Sequence, residues 1–91
     1  MIFITLIKFR QKMSKEFTAT TDKLVAALAK EGTRVIGAYW TLGRYDAVML
    51  FDGPDKGAVE RAMKTAMAAS EYAATETLVA LKREDAIKLF G

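Results

Sequence analysis

The polar side chains best suited to chemistry cluster around a single glycine-containing turn. If Gly43 and Arg44 are the two turn residues of a β-hairpin, residues at equal distances from the turn pair and share a face of the sheet. One face then carries Tyr39, Thr41 and Asp46 among apolar neighbours, a composition typical of a small-molecule site. A carboxylate in such a pocket can act as a general acid or base, with tyrosine as a hydrogen-bond donor. Asp46 and Tyr39 are therefore the candidate catalytic residues.

The candidate ligand contacts are Thr41, Tyr45, Trp40 and Glu76. The hairpin pairing places Trp40 and Tyr45 on the opposite, wholly apolar face, which we assign to the helices. A core or interface role therefore competes with ligand stacking for both rings. The alternation of the last strand leaves the face of Glu76 open. Asp46 also has a structural interpretation, in which its carboxylate accepts hydrogen bonds from the Thr41 hydroxyl and from turn amides.

The composition excludes several classes of chemistry. The 91 residues include neither cysteine nor histidine, which excludes disulfides, thiolate nucleophiles and every catalytic arrangement that depends on imidazole. The carboxylates form no paired, spaced set for a metal ion, and no phosphate-binding loop is present. We therefore predict neither a metal nor a cofactor.

Hydrophobic periodicity predicts four strands, two long helices and a short terminal helix. The strands are expected at 2–9, 34–42, 45–52 and 75–82, and the helices at 14–31, 54–70 and 84–90. Gly32 suits the end of the first helix, and Pro54 suits the start of the second. The order βαββαβ predicts a ferredoxin-like α+β sandwich in one domain, residues 1–91, with a four-stranded antiparallel sheet and two helices on one face.

The predicted sheet is apolar on both faces. In the first strand Ile2, Ile4 and Leu6 share one face, while Phe3 and Ile7 share the other. Two helices cover only one face, so the other would expose more apolar surface than monomers usually do. A second copy covers it most economically, and we therefore predict an isologous homodimer or a higher homo-oligomer.

Residues 39–48, YWTLGRYDAV, resemble the signature of the GYD family of small bacterial and archaeal proteins. Three motifs carry the likeness in the family's order: Gly43, Tyr45 and Asp46 at the hairpin, then Pro54-Asp55, then TETL at 75–78. This chain has EYAA at 71–74 where the family has a Gly-Asn-Val-Arg-like lead, so an arginine that could complete a site is absent. The resemblance implies a dimeric α/β barrel and carries no established activity.

Three functions of different classes fit these features. The first is a dimeric barrel that binds a small molecule, with acid-base chemistry in its pocket, and the second is a non-catalytic oligomerisation or ligand-sensing module. RNA binding is the least favoured, because Asp46 would occupy an aromatic position of the RNA-binding strand and repel phosphate. No apolar run approaches a membrane span of about 20 residues. We expect a cytoplasmic protein with no membrane or nucleic-acid partner, and the sequence leaves open whether it is an enzyme.

Overall fold

The described residues form one antiparallel sheet of four strands with three helices, in the predicted order. The computed structural model describes residues 1–11, 14–68 and 70–90. Its elements are β1 (Ile2–Phe9), α1 (Lys15–Lys30), β2 (Arg34–Trp40), β3 (Ala47–Asp52), α2 (Lys56–Ala68), β4 (Ala73–Ala80) and α3 (Arg83–Phe90). The strand order is β2-β3-β1-β4, so β2 and β4 are the two edges. This arrangement is the ferredoxin-like one.

The core lies between one face of the sheet and the helices α1 and α2. Phe3 and Phe51, neighbours on β1 and β3, are buried, and their rings stack at a centroid distance of 5.0 Å. Leu28 of α1 packs against them, and Ala58 and Ala62 of α2 complete the buried cluster. Because alanine has a single side-chain carbon, α2 can approach the sheet closely and help to enclose both rings.

A close turn before α2 explains the glycine at position 53. A Cβ atom on Gly53 would lie 2.5 Å from the Cβ of Ala58, closer than two side-chain carbons approach. The backbone N–H of Ala58 donates a 3.1 Å hydrogen bond to Oδ1 of Asp55, which makes Asp55 the N-cap of a helix that begins at Lys56. The predicted start at Pro54 is therefore wrong, because the capping residue follows the proline.

β4 begins and ends two residues earlier than predicted, at Ala73 and Ala80. All eight residues of β1 pair with it, and Phe9 lies opposite Ala73. Alanine has a low strand propensity, so the sequence pattern does not extend the strand that far, whereas pairing with β1 does. The same register decides the face of Glu76, which lies opposite Leu6.

The β2–β3 hairpin confirms the predicted pairing of its strands. Tyr39 lies opposite Val48, and Trp40 lies opposite Ala47. A β-bulge just after Val35 shifts the register farther from the turn. Val35 therefore packs against the core beneath the helices, and its predicted place on the other face is wrong.

The loop of this hairpin is longer than the two residues predicted. Its closing hydrogen bond runs from the N–H of Thr41 to the carbonyl of Asp46, at 2.9 Å, and the predicted strand pair of Leu42 with Tyr45 does not form. Gly43 adopts a φ of +136°, which favours glycine. Tyr45 thus lies outside the strand ladder. Its side chain reaches the face opposite to the one predicted.

Alternation along the strands gives the sheet two distinct faces. Odd-numbered residues of β1, such as Phe3, face the helices, and even-numbered ones face away. We call the second side the helix-free face, since α1 and α2 both pack on the side of Phe3 and Phe51. Its members are Ile2, Ile4, Leu6 and Lys8 of β1, Arg34, Gly37 and Tyr39 of β2, Val48, Leu50 and Asp52 of β3, and Ala74, Glu76, Leu78 and Ala80 of β4.

Candidate functional site

Rows of paired residues cross the helix-free face from β2 to β4. One row contains Tyr39, Val48, Leu6 and Glu76. The next row is apolar and contains Gly37, Leu50, Ile4 and Leu78. Since neighbouring strands lie about 4.8 Å apart, the Cα atoms of Tyr39 and Glu76 are separated by roughly 14 Å across the sheet. A polar side chain therefore stands at each edge of an apolar floor.

This apolar floor is open in the protomer. Leu6, Val48 and Leu50 are each partly exposed, and Leu78 is exposed. On the other side of the same sheet Phe3 is fully buried. The helix-free face is therefore a continuous apolar surface that the described residues leave uncovered, which is characteristic of an interaction site.

A hydrogen-bonded pair closes one end of the floor. The Tyr45 hydroxyl donates a 2.7 Å hydrogen bond to Oε2 of Glu76, so the tyrosine reaches from the hairpin loop past β1 to β4. The guanidinium carbon of Arg44 lies 5.7 Å from the centroid of the Tyr45 ring. The hydrogen bond to Glu76 raises the pKa of Tyr45, because ionising the phenol would remove the donor, and burial and the carboxylate charge act in the same direction.

Glu76→Gln is expected to return the pKa of Tyr45 toward its ordinary value of 10.0, because a neutral amide accepts more weakly and does not repel the phenolate. Tyrosinate absorbance can be titrated in the wild-type and Glu76→Gln proteins. The same titration of Tyr45→Phe isolates this group from the other two tyrosines. Because the pKa of Tyr45 is raised in the folded state, its hydrogen bond stabilises the fold fully at pH values below the unfolded-state pKa. This stabilisation is lost as the pH rises through the folded-state pKa. Superimposable titration curves for the wild type and the Glu76→Gln variant would contradict the hydrogen bond.

Asp46 joins the hairpin loop to β1. Its carboxylate accepts a 2.8 Å hydrogen bond from the backbone N–H of Phe9 and one of 3.5 Å from Nζ of Lys8. Its own backbone N–H donates to the carbonyl of Ile7 at 2.8 Å. The expected bond from the Thr41 hydroxyl is absent, because that hydroxyl donates to the carbonyl of residue 45 instead, at 2.6 Å. The geometry gives Asp46 and Thr41 a structural task in shaping the loop, and the catalytic role of Asp46 stays a prediction.

Tyr39 lies at the opposite end of the row from Glu76, and its ring extends along its own strand toward Gly37. A Cβ atom on Gly37 would lie 3.0 Å from the Tyr39 ring, so the glycine leaves room for that ring. The ring is largely exposed, as a ligand or partner contact requires. Tyr39 and Glu76 are thus on the same face, as a shared site demands.

Trp40 is separated from these residues by the sheet. Its ring packs against Phe9 at a centroid distance of 5.4 Å on the helix side. There both rings line a cavity of about 210 Å³, together with Ala47 and Met49. The structure therefore brings Tyr39, Tyr45 and Glu76 to one face, with Thr41 and Asp46 at its loop end, and leaves Trp40 on the other.

Sequence reasoning missed Lys8 and Arg44 as parts of this cluster. Lys8 shares the parity of Leu6 in β1, so alternation would have placed it on the helix-free face once the covered face was known. Its Nζ lies 3.5 Å from Oδ1 of Asp46. The sequence predicts Arg44 only as a turn residue, and its approach to the Tyr45 ring depends on the longer loop.

Metal and membrane signals are both absent from the described residues. No group of three or more carboxylates, the only such ligands in this chain, could hold a metal ion within residues 1–11, 14–68 and 70–90. In the same ranges, none of the helices is long and apolar enough to cross a lipid bilayer.

The profile of the GYD domain matches residues 3–90, nearly the whole chain. The chain belongs to the GYD domain family. This confirms the resemblance seen at Gly43, Tyr45 and Asp46. No curated protein matches this GYD domain by sequence.

Solved structures share the fold of this GYD domain. A crystal structure of TTHA0845 from Thermus thermophilus matches with 24% identity and a TM-score of 0.56, covering 89% of this chain and 92% of that one. A crystal structure of FFRP-DM1 matches with 21% identity and a TM-score of 0.57, covering 89% and 100%. The structural-genomics protein YJCS matches with 17% identity and a TM-score of 0.52, covering 88% and 98%. At these identities the likeness establishes the fold alone.

Proposed function

We propose that this GYD domain is a homodimer whose two helix-free faces enclose a pocket for a small aromatic alcohol. The observation that carries the proposal is the partly exposed apolar floor of the helix-free face, closed at one end by the Tyr45–Glu76 hydrogen bond. A second copy removes the apolar surface from water. The polar pair then lies at the edge of the enclosed space.

The chemistry of the pair selects the ligand class. The Glu76 carboxylate can accept a hydrogen bond from a ligand hydroxyl in addition to the one from Tyr45, since an ionised carboxylate has about four lone-pair sites. Leu6 and Val48 offer an apolar floor for a flat ring. In such a pocket Glu76 can also withdraw a proton from the bound hydroxyl, with Tyr45 donating to the carboxylate. The predicted catalytic residues Tyr39 and Asp46 would then frame the pocket and hold the loop.

Binding of 2-naphthol, a fluorescent aromatic alcohol, tests the pocket. We expect Glu76→Gln to weaken binding about tenfold, because a charge-assisted hydrogen bond becomes a neutral one. Glu60→Gln on the exposed side of α2 is the matched control and should bind as the wild type does. Native mass spectrometry of the freshly purified protein reports the copy number and any retained molecule together.

Two results would redirect the proposal. A dimer in which the wild type, Glu60→Gln and Glu76→Gln bind 2-naphthol equally, or not at all, would favour the non-catalytic oligomerisation module. If the protein is monomeric at micromolar concentration, the proposed pocket between two copies cannot form.

A further inference from the structure

The C-terminal helix is the least packed element of the structure. None of the eight residues of α3 is buried, and Leu89 and Phe90 are 71% and 89% exposed. Helices shorter than about 12 residues are marginal in water and depend on tertiary packing. The apolar side of α3 therefore needs a surface that the described part of the protomer does not offer.

The protomer also has more surface than a compact chain of its mass. Its accessible surface is 6647 Å², whereas a folded monomer of this mass exposes about 5,300 Å². Its Cα radius of gyration is 13.8 Å, whereas a compact domain of this length has about 12 Å. Both differences are expected for one subunit of an assembly that covers α3.

The opposite edge of the sheet carries a second apolar strip. Ile36, Tyr39 and Trp40 of β2 are all exposed and flank this edge from both sides, with Tyr39 on the helix-free face and Trp40 on the helix side. As an edge strand, β2 also has one side without a neighbouring strand, which proteins usually cover. Because α3 follows β4 at the other edge, the strip on β2 and the apolar side of α3 lie at opposite edges of the same protomer.

A two-fold axis parallel to the strands brings the two strips together twice. Such an axis lays β4 and α3 of one copy over β2 of the other and keeps like ends of the strands together. The first turn of α3, in which Glu84 and Asp85 follow Arg83, then lies near the partner's Arg34, whose guanidinium is 3.3 Å from the carboxylate of Asp52 in its own protomer. The carboxylates of Glu84 and Asp85 would extend this ion pair at the point where α3 starts. An axis across the strands would instead lay β4 over β4 and leave β2 uncovered.

We propose that α3 is an intermolecular arm that packs along the β2 edge of a second copy. The inference rests on the proposed dimer and adds its geometry. In the row that contains Tyr39 and Glu76, the same axis lays the partner's Glu76 over Tyr39. Each pocket is then built from Tyr39 of one copy and the hydrogen-bonded pair of the other.

Cross-linking tests the arm directly, since the natural chain has no cysteine. Leu89→Cys and Ile36→Cys are purified separately, one with a size tag, mixed, and treated with a short bismaleimide. We expect a tagged-untagged conjugate in at least tenfold excess over the mixture of Leu89→Cys with the control Glu60→Cys, which lies on the outer side of α2. A conjugate at the control level, or one formed mainly between two Leu89→Cys chains, would overturn the proposal.

A second measurement separates the arm from the dimer itself. The double variant Leu89→Ser, Phe90→Ser changes side chains that are exposed in the protomer, so the protomer should fold normally. We expect its dimer dissociation constant, from sedimentation, to rise at least about tenfold, since two apolar side chains per copy lose their contacts. An unchanged constant in a dimeric protein would refute the arm and leave the proposed function standing. Binding of the wild type, but not of the double variant, to anionic phospholipid vesicles would assign α3 to a membrane instead and also overturn it. A wild type that sediments as a protomer would overturn both proposals.

Discussion

Leu50→Glu is expected to abolish dimer formation at micromolar concentration while the protomer stays folded. Leu50 lies opposite Ile4 and Gly37 in the central apolar row of the helix-free face, and it is partly exposed in the protomer. In a protomer the new carboxylate remains hydrated, so it costs little. In a dimer it would lie between two apolar sheets without a partner, and burying an unpaired charge is strongly unfavourable.

The size of this effect follows from the symmetry. Each copy contributes one glutamate, so the interface loses two leucine contacts of about 2 kcal/mol each before the charge is considered. The dimer dissociation constant should therefore rise on the order of 1000-fold. Sedimentation across nanomolar to micromolar protein measures it, and circular dichroism reports whether the protomer is folded.

Met67→Glu is the matched control for this prediction. Met67 is 72% exposed and lies on α2, away from the helix-free face. The same charge introduced there should leave the dissociation constant unchanged. If the Leu50→Glu protein is folded and sediments as the wild type does, the helix-free face is not the interface.

Phe3→Ala is expected to have the largest effect on stability. Phe3 is fully buried and stacks on Phe51, and the side chain also lies 3.3 Å from where a Cβ of Gly53 would be. Truncating a buried phenylalanine removes its transfer free energy and leaves a cavity, which costs about 3 to 5 kcal/mol. A domain of this size has only about 5 to 13 kcal/mol of stability in total.

Thermal and urea unfolding measure this loss. For a domain of this length 1 kcal/mol corresponds to about 4 to 8 °C, so the midpoint should fall by roughly 12 °C or more. Met67→Ala, at the same protein concentration, should change the free energy of unfolding by less than about 0.5 kcal/mol because its side chain is exposed. A melting midpoint for Phe3→Ala close to that of Met67→Ala would show that the core lies elsewhere.

Local patterns explain why much of the fold could be predicted. β1 was expected at 2–9 and occupies Ile2–Phe9, because a short run of β-branched and aromatic residues has few other ways to bury its side chains. The hairpin pairs of Tyr39 with Val48 and Trp40 with Ala47 follow from distance along the chain to the turn. Each of these features depends on residues close together in sequence.

The candidate site was predicted only in part, because its contacts join distant segments. Tyr45 and Glu76 are 31 residues apart, and their hydrogen bond requires both the longer loop and the register between β1 and β4. The sequence pattern predicts Asp46 in a pocket, yet its carboxylate accepts a hydrogen bond from the backbone N–H of Phe9, 37 residues away. Neither register nor loop length is encoded in a periodic pattern, since a shift of one residue leaves the composition of each strand unchanged while reversing its faces.

The amino-acid sequence by itself determined the order of the elements, the apolar character of both sheet faces and the absence of thiol and imidazole chemistry. These properties depend on residue types and their spacing alone. Only the tertiary structure decided that Tyr39, Tyr45 and Glu76 share a face while Trp40 does not, and that α3 lies apart from the core. Strand register and the packing of helices are set by contacts between segments that are far apart in the chain. Those contacts exist only when the whole sheet has formed, so no local pattern of residues encodes them.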